Sequence, residues 1–388
     1  MSHDLLSPTD DLDHLKKHLR HFRLVQSFRT LLKGFLAKRT EFTSSEADPR
    51  RTLHALDYFT MMLFALYNPI VSTMRGLCRA THYGKVSAQI CSAPVSISMF
   101  SDAQKVFTPE LLDDVFASLL ERMPAGKAPR ELARIKETLV MVDGTLFHTL
   151  KRMGWTEKGD RSRRGAKLHV QLDLRRNTPM AFQLTYARTC ERKTLINMLQ
   201  ENCFYVGDRY YATGYKLMDE IIGLEGRSSF FVFRMQEKAS YVVLSTRTLT
   251  AEDRAADVVS DEIVELGSQA PTRQIRIVIV ETEEGRFILG TNRMDLPAAD
   301  IARIYRLRWE IEVYFKWFKC NLRIGHILAE SQDGMAMQMY CALIMAMLLQ
   351  LATGKRPSKR DMELIQFYQQ GLVSGEEVEF FLHMKKKN

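Results

Sequence analysis

Three acidic residues occupy positions from which carboxylates can reach a catalytic crevice. Asp143 and Asp208 lie at the ends of two short apolar runs, residues 139–142 and 203–206, which are typical of strands buried on both faces. Because such strands end at a common edge of a sheet, both aspartates are expected at that edge. Glu312 lies in a later segment with helical periodicity. Aspartates at strand ends also serve as caps or turn residues, so the pair alone leaves its role open.

The segment around Glu312 carries further polar residues at helical spacing. If residues 305–319 form one long helix, Tyr305, Arg308, Glu312 and Lys319 fall within roughly 60° of arc. A neighbouring apolar stripe would dock that helix on the sheet. This stripe comprises Ile304, Leu307, Ile311, Phe315, Phe318 and Leu322. An acid beside the docking stripe is expected to point inward, whereas a row of solvated ion pairs is the alternative.

Carboxylates from two strand ends and one helix are the ligands that a pair of Mg²⁺ ions requires. Hard cations prefer oxygen ligands, and two ions about 4 Å apart stabilise the attacking and leaving oxygens of a phosphodiester. Phosphoryl transfer needs little else from a protein beyond positioning and charge neutralisation. Arg308 and Lys319, on the same helical face as the acid, would hold the flanking phosphates. The sequence therefore predicts a two-metal phosphoryl-transfer site.

The composition is compatible with a globular protein that binds a polyanion. The 388 residues include 55 lysines and arginines against 46 acidic residues, which gives a net charge of +9. Hydrophobic residues make up 46% of the chain, which excludes a mostly disordered or fibrous protein. The six cysteines lack paired spacing, which disfavours a disulfide scaffold or a thiolate zinc site. The acidic N-terminus disfavours a signal peptide and favours the cytoplasm.

Periodicity divides the chain into four predicted parts. Residues 1–130 are predicted to be helical, either as a DNA-binding domain or as a packing domain. Over 131–240 the order strand, hairpin, helix, strand, helix, strand predicts a mixed sheet flanked by helices, to which residues 292–355 add a long helix. A strand-rich insertion at 241–291 interrupts this α/β core, and 356–388 is predicted to be a helical C-terminal segment.

One uncharged stretch, residues 335–354, is long enough to cross a bilayer. It contains Gln338, Tyr340 and Gln350 and is rich in methionine, which favours a buried helix of a globular domain. A membrane anchor is the alternative.

The spacing of Tyr305, Arg308, Glu312 and Lys319 resembles the YREK signature of DDE transposases from bacterial insertion sequences. That group includes the transposases of transposons five and ten. Residues 142–145 (Val-Asp-Gly-Thr) and 206–210 (Val-Gly-Asp-Arg-Tyr) look like its two aspartate motifs. The resemblance covers residues 135–350 approximately. It implies an RNase H-like mixed sheet whose interruption at 241–291 is the family's insertion.

The resemblance also implies a set of site residues and partners. Asp143, Asp208 and Glu312 would be the catalytic ligands of two Mg²⁺ ions, for which Mn²⁺ is expected to substitute. Tyr305, Arg308 and Lys319 would contact DNA phosphates near the element's end. Further candidate contacts are basic residues near the two aspartate motifs, namely Arg161, Arg163, Arg164, Lys167 and Arg209. The implied partners are terminal inverted repeats and target DNA, bound by a homodimer in the bacterial nucleoid and without a membrane.

Two other functions fit the same residues. A nuclease with this core would hydrolyse DNA without joining strands, and a non-catalytic DNA-binding protein could descend from a transposase. The presence of all three acids favours an enzyme over the second alternative.

The aromatic residues depart from the family pattern. Well-studied relatives stack a flipped base on a tryptophan of the insertion while the DNA end forms a hairpin. The tryptophans here, Trp155, Trp309 and Trp317, all lie outside 241–291. Tyr241 or Phe287 is the alternative stacking residue, because any aromatic face can stack a base.

Overall fold

The described part of the chain forms two compact units. In this computed structural model the described residues are 23–38, 51–71, 73–126, 132–148, 153, 155–156, 165–267, 273–322, 324 and 328–384. The first unit comprises Met1–Pro124, Leu150–Trp155 and Lys316–Asn388. The second comprises Ala125–Thr149 and Thr156–Phe315.

The described residues of the first unit that precede position 125 are helical and include no strand. The first apolar helix stops before Asn68 and Pro69, and Pro109 opens a 3₁₀ turn over Pro109–Leu112. Hydroxyl caps begin two of the short helices, since Thr73 accepts a hydrogen bond from Gly76 N–H and Ser96 accepts one from Met99 N–H. The helices are α1 Arg23–Leu36, α2 Ala55–Tyr67, α3 Met74–Ala80, α4 Gly84–Ile90, α5 Ile97–Ala103 and α6 Asp113–Arg122.

The second unit is built on one mixed sheet of nine strands in the order β3-β2-β1-β4-β5-β9-β8-β7-β6. The strands are β1 Thr138–His148, β2 Gly165–Asp173, β3 Thr178–Tyr186, β4 Cys203–Gly207, β5 Phe230–Arg234, β6 Tyr241–Thr246, β7 Val258–Leu266, β8 Arg273–Thr282 and β9 Gly285–Thr291. Strands β1, β4 and β5 are parallel neighbours, and all other neighbouring pairs are antiparallel. The predicted α/β class and the predicted β2–β3 hairpin are therefore confirmed.

Strand β1 is longer than predicted, so the expectation that it ends before Asp143 is wrong. Its parallel pairing with β4 stops at Met141, but its antiparallel pairing with β2 continues from Val140 to His148. Pairing with β2 therefore keeps the β1 backbone extended beyond the end of its pairing with β4. Asp143 lies inside the strand, two residues beyond the last parallel pair.

The predicted long helix over 305–319 is two helices, which corrects the placement of its four polar residues on one continuous face. The turn at Leu307 and Arg308 separates α10 from α11. Leu307 N–H donates to Ile304 O at 3.1 Å and Arg308 N–H donates to Tyr305 O at 3.0 Å, so i→i−3 bonds replace the α-helical pattern there. The helices along this part of the chain are α7 Glu191–Asn197, α8 Lys216–Gly223, α9 Ala251–Ala255, α10 Ala298–Arg306 and α11 Trp309–Asn321, with a 3₁₀ turn at Glu225–Arg227.

Residues 241–291 supply strands β6 to β9 and the short helix α9. Strand β9 pairs with β5 at Val232↔Thr291 and Phe233↔Gly290, so the later strands extend the same sheet. Buried side chains from both parts form one hydrophobic cluster, and its members include Val140, Tyr205, Phe231, Phe233, Val264, Ile275 and Ile277.

A buried ion pair fixes two of the later strands. Arg276 is 1% exposed and donates Nε and Nη2 to Asp261 Oδ1 and Oδ2, both at 2.7 Å. Its Nη1 donates to the carbonyl of Leu296 at 2.6 Å. The guanidinium thus has the partners that its burial requires.

The uncharged stretch in the first unit forms a buried helix, as predicted. It lies in α12 Gln332–Thr353, which is long and apolar enough to cross a membrane. However, 83% of the most apolar part of this helix is buried inside the protein. Gln338 is fully buried and accepts a hydrogen bond from Leu328 N–H at 2.9 Å. Two helices follow, α13 Lys359–Gln369 and α14 Gly375–Met384.

Asp261→Asn is expected to lower the free energy of unfolding by about 3–5 kcal/mol, because it leaves a buried guanidinium without its counter-charge. Urea unfolding of the full chain measures the change. Glu281→Gln is the matched control, since Glu281 and Arg286 form a distant, exposed pair at 3.9 Å and its loss should cost under about 1 kcal/mol. Equal effects of the two substitutions would contradict the structural role of Arg276.

Candidate active site

The two predicted aspartates lie beyond the parallel pairing of their strands. Asp208 directly follows β4, and its Oδ1 accepts a hydrogen bond from Tyr210 N–H at 2.8 Å. Asp143 Oδ1 accepts one from Gly144 N–H at 2.7 Å. Because β1 and β4 are parallel neighbours, both aspartates extend from the same edge of the sheet.

Asp143 experiences an excess of negative charge in a poorly solvated position. The pKa of its carboxyl group is raised from 3.8 to about 7, chiefly by burial and also by the nearby charges of Glu191 and Asp208. The Gly144 N–H and the Arg308 guanidinium act in the opposite direction. The edge therefore holds several acids that repel one another.

Glu191 belongs to this acidic group and was not predicted from the sequence. It is the first residue of α7, and its Oε1 accepts a hydrogen bond from Lys167 Nζ at 2.9 Å. Its Oε2 accepts one from Tyr211 Oη at 3.1 Å. An acid in the first turn of a helix ordinarily complements the helix dipole, so nothing in the local sequence indicated this position.

Two glycines allow the close packing around the acids. A Cβ atom on Gly144 would lie 2.9 Å from the carboxyl carbon of Glu191. A Cβ atom on Gly207 would lie 2.8 Å from the ring of Tyr211 and 3.1 Å from Val142. Each aspartate motif therefore includes a glycine whose missing side chain makes room for a neighbour in the site.

Glu312 is held by an arginine of the same polar set. Arg308 Nη2 lies 2.7 Å from Glu312 Oε1, an i,i+4 pair across the junction of α10 and α11. Arg308 also interacts electrostatically with Asp143. Burial raises the pKa of Tyr305, which interacts with Arg308 and Asp208. Arg308 is thus the residue that interacts with Asp143, with Tyr305 and with Glu312.

The carboxylates offer hard oxygen ligands, which fit a divalent cation such as Mg²⁺. The unfavourable charge on Asp143 also fits, since a cation would relieve the burial and repulsion that raise its pKa. Among the described residues, however, no three histidine, cysteine, aspartate or glutamate side chains are grouped closely enough to hold a metal ion.

The other predicted DNA contacts, besides Tyr305 and Arg308, differ in their surroundings. Arg209 is exposed beside Asp208, whereas the Lys167 side chain is 14% exposed and forms an ion pair with Glu191. Lys319 is exposed on the last turns of α11, in the part of the chain that belongs to the first unit. Arg161, Arg163 and Arg164 lie outside the described residues.

A cavity of about 960 Å³ lies between the β8–β9 hairpin and the α10–α11 junction. Phe287, Tyr305 and Trp309 supply its aromatic wall, and the Phe287 and Tyr305 ring centroids are 6.2 Å apart. The guanidinium carbon of Arg234 lies 4.5 Å from the Phe287 centroid and covers that ring, whereas Trp309 is 60% exposed. The cavity is also lined by Arg306, Arg308, Asp257, Glu281, Glu283 and Glu284.

More than half of the chain matches one protein family. Residues 134–348 match the profile of a family described as "Transposase DDE domain". A protein of Sinorhizobium fredii named as transposase y4zB is 27% identical over 250 residues, which span 63% of this chain and 68% of the relative. A protein of Geobacillus stearothermophilus named as a transposase for insertion sequence element IS5377 is 25% identical over 244 residues, or 58% of this chain and 59% of the relative.

A solved structure also shows a distant likeness. It is the cryo-EM structure of the piggyBac transposase synaptic complex with hairpin DNA, with a TM-score of 0.42 and 11% sequence identity. The match covers 97% of this chain and 80% of that chain.

Asp143→Asn is expected to stabilise the metal-free protein in a pH-dependent way. The folded-state pKa of Asp143 is raised, so ionisation of its carboxyl group destabilises the folded protein. This destabilisation is absent below about pH 4 and complete above about pH 7. The shift from 3.8 to about 7 sets an upper limit of about 4 kcal/mol on the gain. Urea unfolding in EDTA at pH 4.5, 6 and 8 measures it. A gain that is equal at all three pH values would contradict the assignment.

Proposed function

The chain belongs to the DDE transposase family, and from this premise we propose that it cuts DNA at the ends of an insertion sequence and joins those ends to target DNA. The proposal depends on the two aspartates beyond the parallel β1–β4 pairing and on Arg308, which interacts with Asp143 and pairs with Glu312. Within the family, the spacing of Tyr305, Arg308, Glu312 and Lys319 supports membership of the YREK-signature group with an RNase H-like core.

Asp143, Asp208 and Glu312 would hold two Mg²⁺ ions, with Mn²⁺ as a substitute. When bound, the ions would activate the attacking water, or the 3′-hydroxyl of the cut DNA strand, and would neutralise charge on the phosphodiester. The carboxylates themselves position the reacting groups at the sheet edge. Glu312 is paired with Arg308 at 2.7 Å, so a bound cation and the guanidinium would compete for its carboxylate.

Arg308 would contribute directly to DNA binding. A guanidinium that leaves Glu312 can form paired hydrogen bonds with a phosphate, which is the geometry that arginine favours. Tyr305 would orient Arg308 and contact the same backbone, and Lys319 and Arg209 would extend the contact along the strand. Because two ends must be cut together, the working form would be a homodimer on paired terminal repeats.

Glu312→Gln is expected to reduce DNA cleavage at least about a hundredfold, because it removes a ligand charge while keeping the side-chain volume. Binding to an end fragment in EDTA should stay within about threefold of wild type, since the phosphate-binding cations remain. Glu310→Gln, an acid two positions earlier on α11, is the matched control and should cleave normally.

The assay uses a fragment with the inverted repeats that flank the reading frame, and it scores cleavage and joining separately. Cleavage by Glu312→Gln at the wild-type rate would contradict the assigned site. Cleavage by the wild-type protein without any joined product would instead identify a nuclease.

We also propose that the cavity between the β8–β9 hairpin and the α10–α11 junction takes an unstacked base of the DNA end. It combines aromatic faces with arginines, which is the combination that single-stranded nucleic acid requires. Trp309 is the better stacking residue than Phe287, because Arg234 covers the Phe287 ring whereas most of Trp309 is accessible. Tyr305, in the same wall, connects this cavity to Arg308.

Trp309→Ala is expected to weaken end binding by about 1–3 kcal/mol, the usual contribution of one base–aromatic stack. The fluorescence of 2-aminopurine at the terminal positions should report loss of the stacked base. Phe367→Ala removes another exposed aromatic residue, on α13, and should change neither quantity. An unaltered fluorescence signal in Trp309→Ala would rule out stacking on this ring.

A further inference from the structure

We propose that Glu191 is a positioning residue of the catalytic centre, which holds the two aspartate motifs in register with each other. The inference rests on the proposed function, because it concerns the same acidic edge. Glu191 contacts each motif at a residue other than the aspartate, Gly144 in the first and Tyr211 in the second, so the role proposed for it differs from that of Asp143, Asp208 and Glu312.

On the side of the first motif, the contact is with backbone. The carboxyl carbon and oxygens of Glu191 lie 2.9–3.2 Å from the position that a Cβ atom of Gly144 would occupy. The carboxyl group therefore packs against the main chain of the residue after Asp143. A shift of this carboxyl group would therefore allow the Asp143–Gly144 backbone to move.

On the side of the second motif, the contact is a hydrogen bond. Tyr211 Oη donates to Glu191 Oε2 at 3.1 Å, and Tyr211 is 2% exposed, three residues after Asp208. The ring of Tyr211 also fills the space left by Gly207, the residue before Asp208. Glu191 and Tyr211 thus connect the chain beside one aspartate to the chain around the other.

Lys167 completes the arrangement from β2. Its Nζ donates to Glu191 Oε1 at 2.9 Å, and the two side chains are only 14% and 15% exposed. A largely buried ion pair is often no more stable than a well-packed apolar pair of similar volume. Its presence beside already crowded acids is therefore better explained by positioning than by stability.

The consequence should appear in the affinity for divalent cations. Residues that orient ligands without binding the metal typically change metal affinity by roughly 10–100-fold when removed. Glu191→Ala also leaves the Lys167 ammonium beside the acids without its counter-charge, which would further oppose a cation. Both effects predict weaker binding.

The experiment measures Mn²⁺ binding to the full chain by isothermal titration calorimetry without DNA. Glu191→Ala is expected to raise the dissociation constant about tenfold or more. The Mn²⁺ concentration for half-maximal cleavage should rise in parallel, while end binding in EDTA stays unchanged. Glu201→Ala is the matched control, because Glu201 forms an exposed pair with Arg227 and should leave Mn²⁺ affinity unaltered.

The double substitution Lys167→Met with Glu191→Met separates positioning from a structural role. It replaces the ion pair by an apolar pair of similar length and is expected to fold even if Glu191→Ala does not. Weaker Mn²⁺ binding by this folded variant supports the inference, and a dissociation constant within twofold of wild type overturns it. If the wild-type chain itself binds no Mn²⁺, the proposed function fails, and this inference fails with it.

Discussion

The end of the parallel pairing between β1 and β4 determines the candidate site. Asp143 and Asp208 both lie just past this point, and the two parallel strands direct them to one edge. The same geometry places them where water is partly excluded, so their charges are not fully screened. The raised pKa of Asp143 is the electrostatic consequence of that placement. An acidic edge of this kind is costly without a counter-charge, which is why a cation fits it.

The surrounding residues reduce this cost without removing it. Lys167 neutralises Glu191, and Arg308 pairs with Glu312 while it interacts with Asp143. The protein's own cations thus pair with two of the acids. Proteins commonly accept such electrostatic strain at functional sites, because the same arrangement that weakens the free state favours the ligand.

The sequence predicted the parts of the site that follow from local patterns. Continuous apolar runs identified β1 and β4, alternation identified the β2–β3 hairpin, and helical spacing related Arg308 to Glu312. The position of Glu191 could not be predicted, because its contacts with Lys167 and Tyr211 arise from sheet pairing and loop packing rather than from spacing along the chain. For the same reason, local patterns did not predict that pairing with β2 continues β1 past Asp143. They also did not predict the i→i−3 hydrogen bonds that separate α10 from α11. The YREK grouping and the metal ligands remain predictions.

The pairing of β9 with β5 has a consequence for how this chain could be shortened. Strand β9, at the end of residues 241–291, is joined to β5 by backbone hydrogen bonds along the strand. Excision of residues 241–291 would turn β5 into an edge strand with unsatisfied amides and would uncover Phe231 and Phe233, which are now fully buried. Such an edge is prone to intermolecular pairing and aggregation. A minimal catalytic fragment would therefore have to retain this segment to remain soluble.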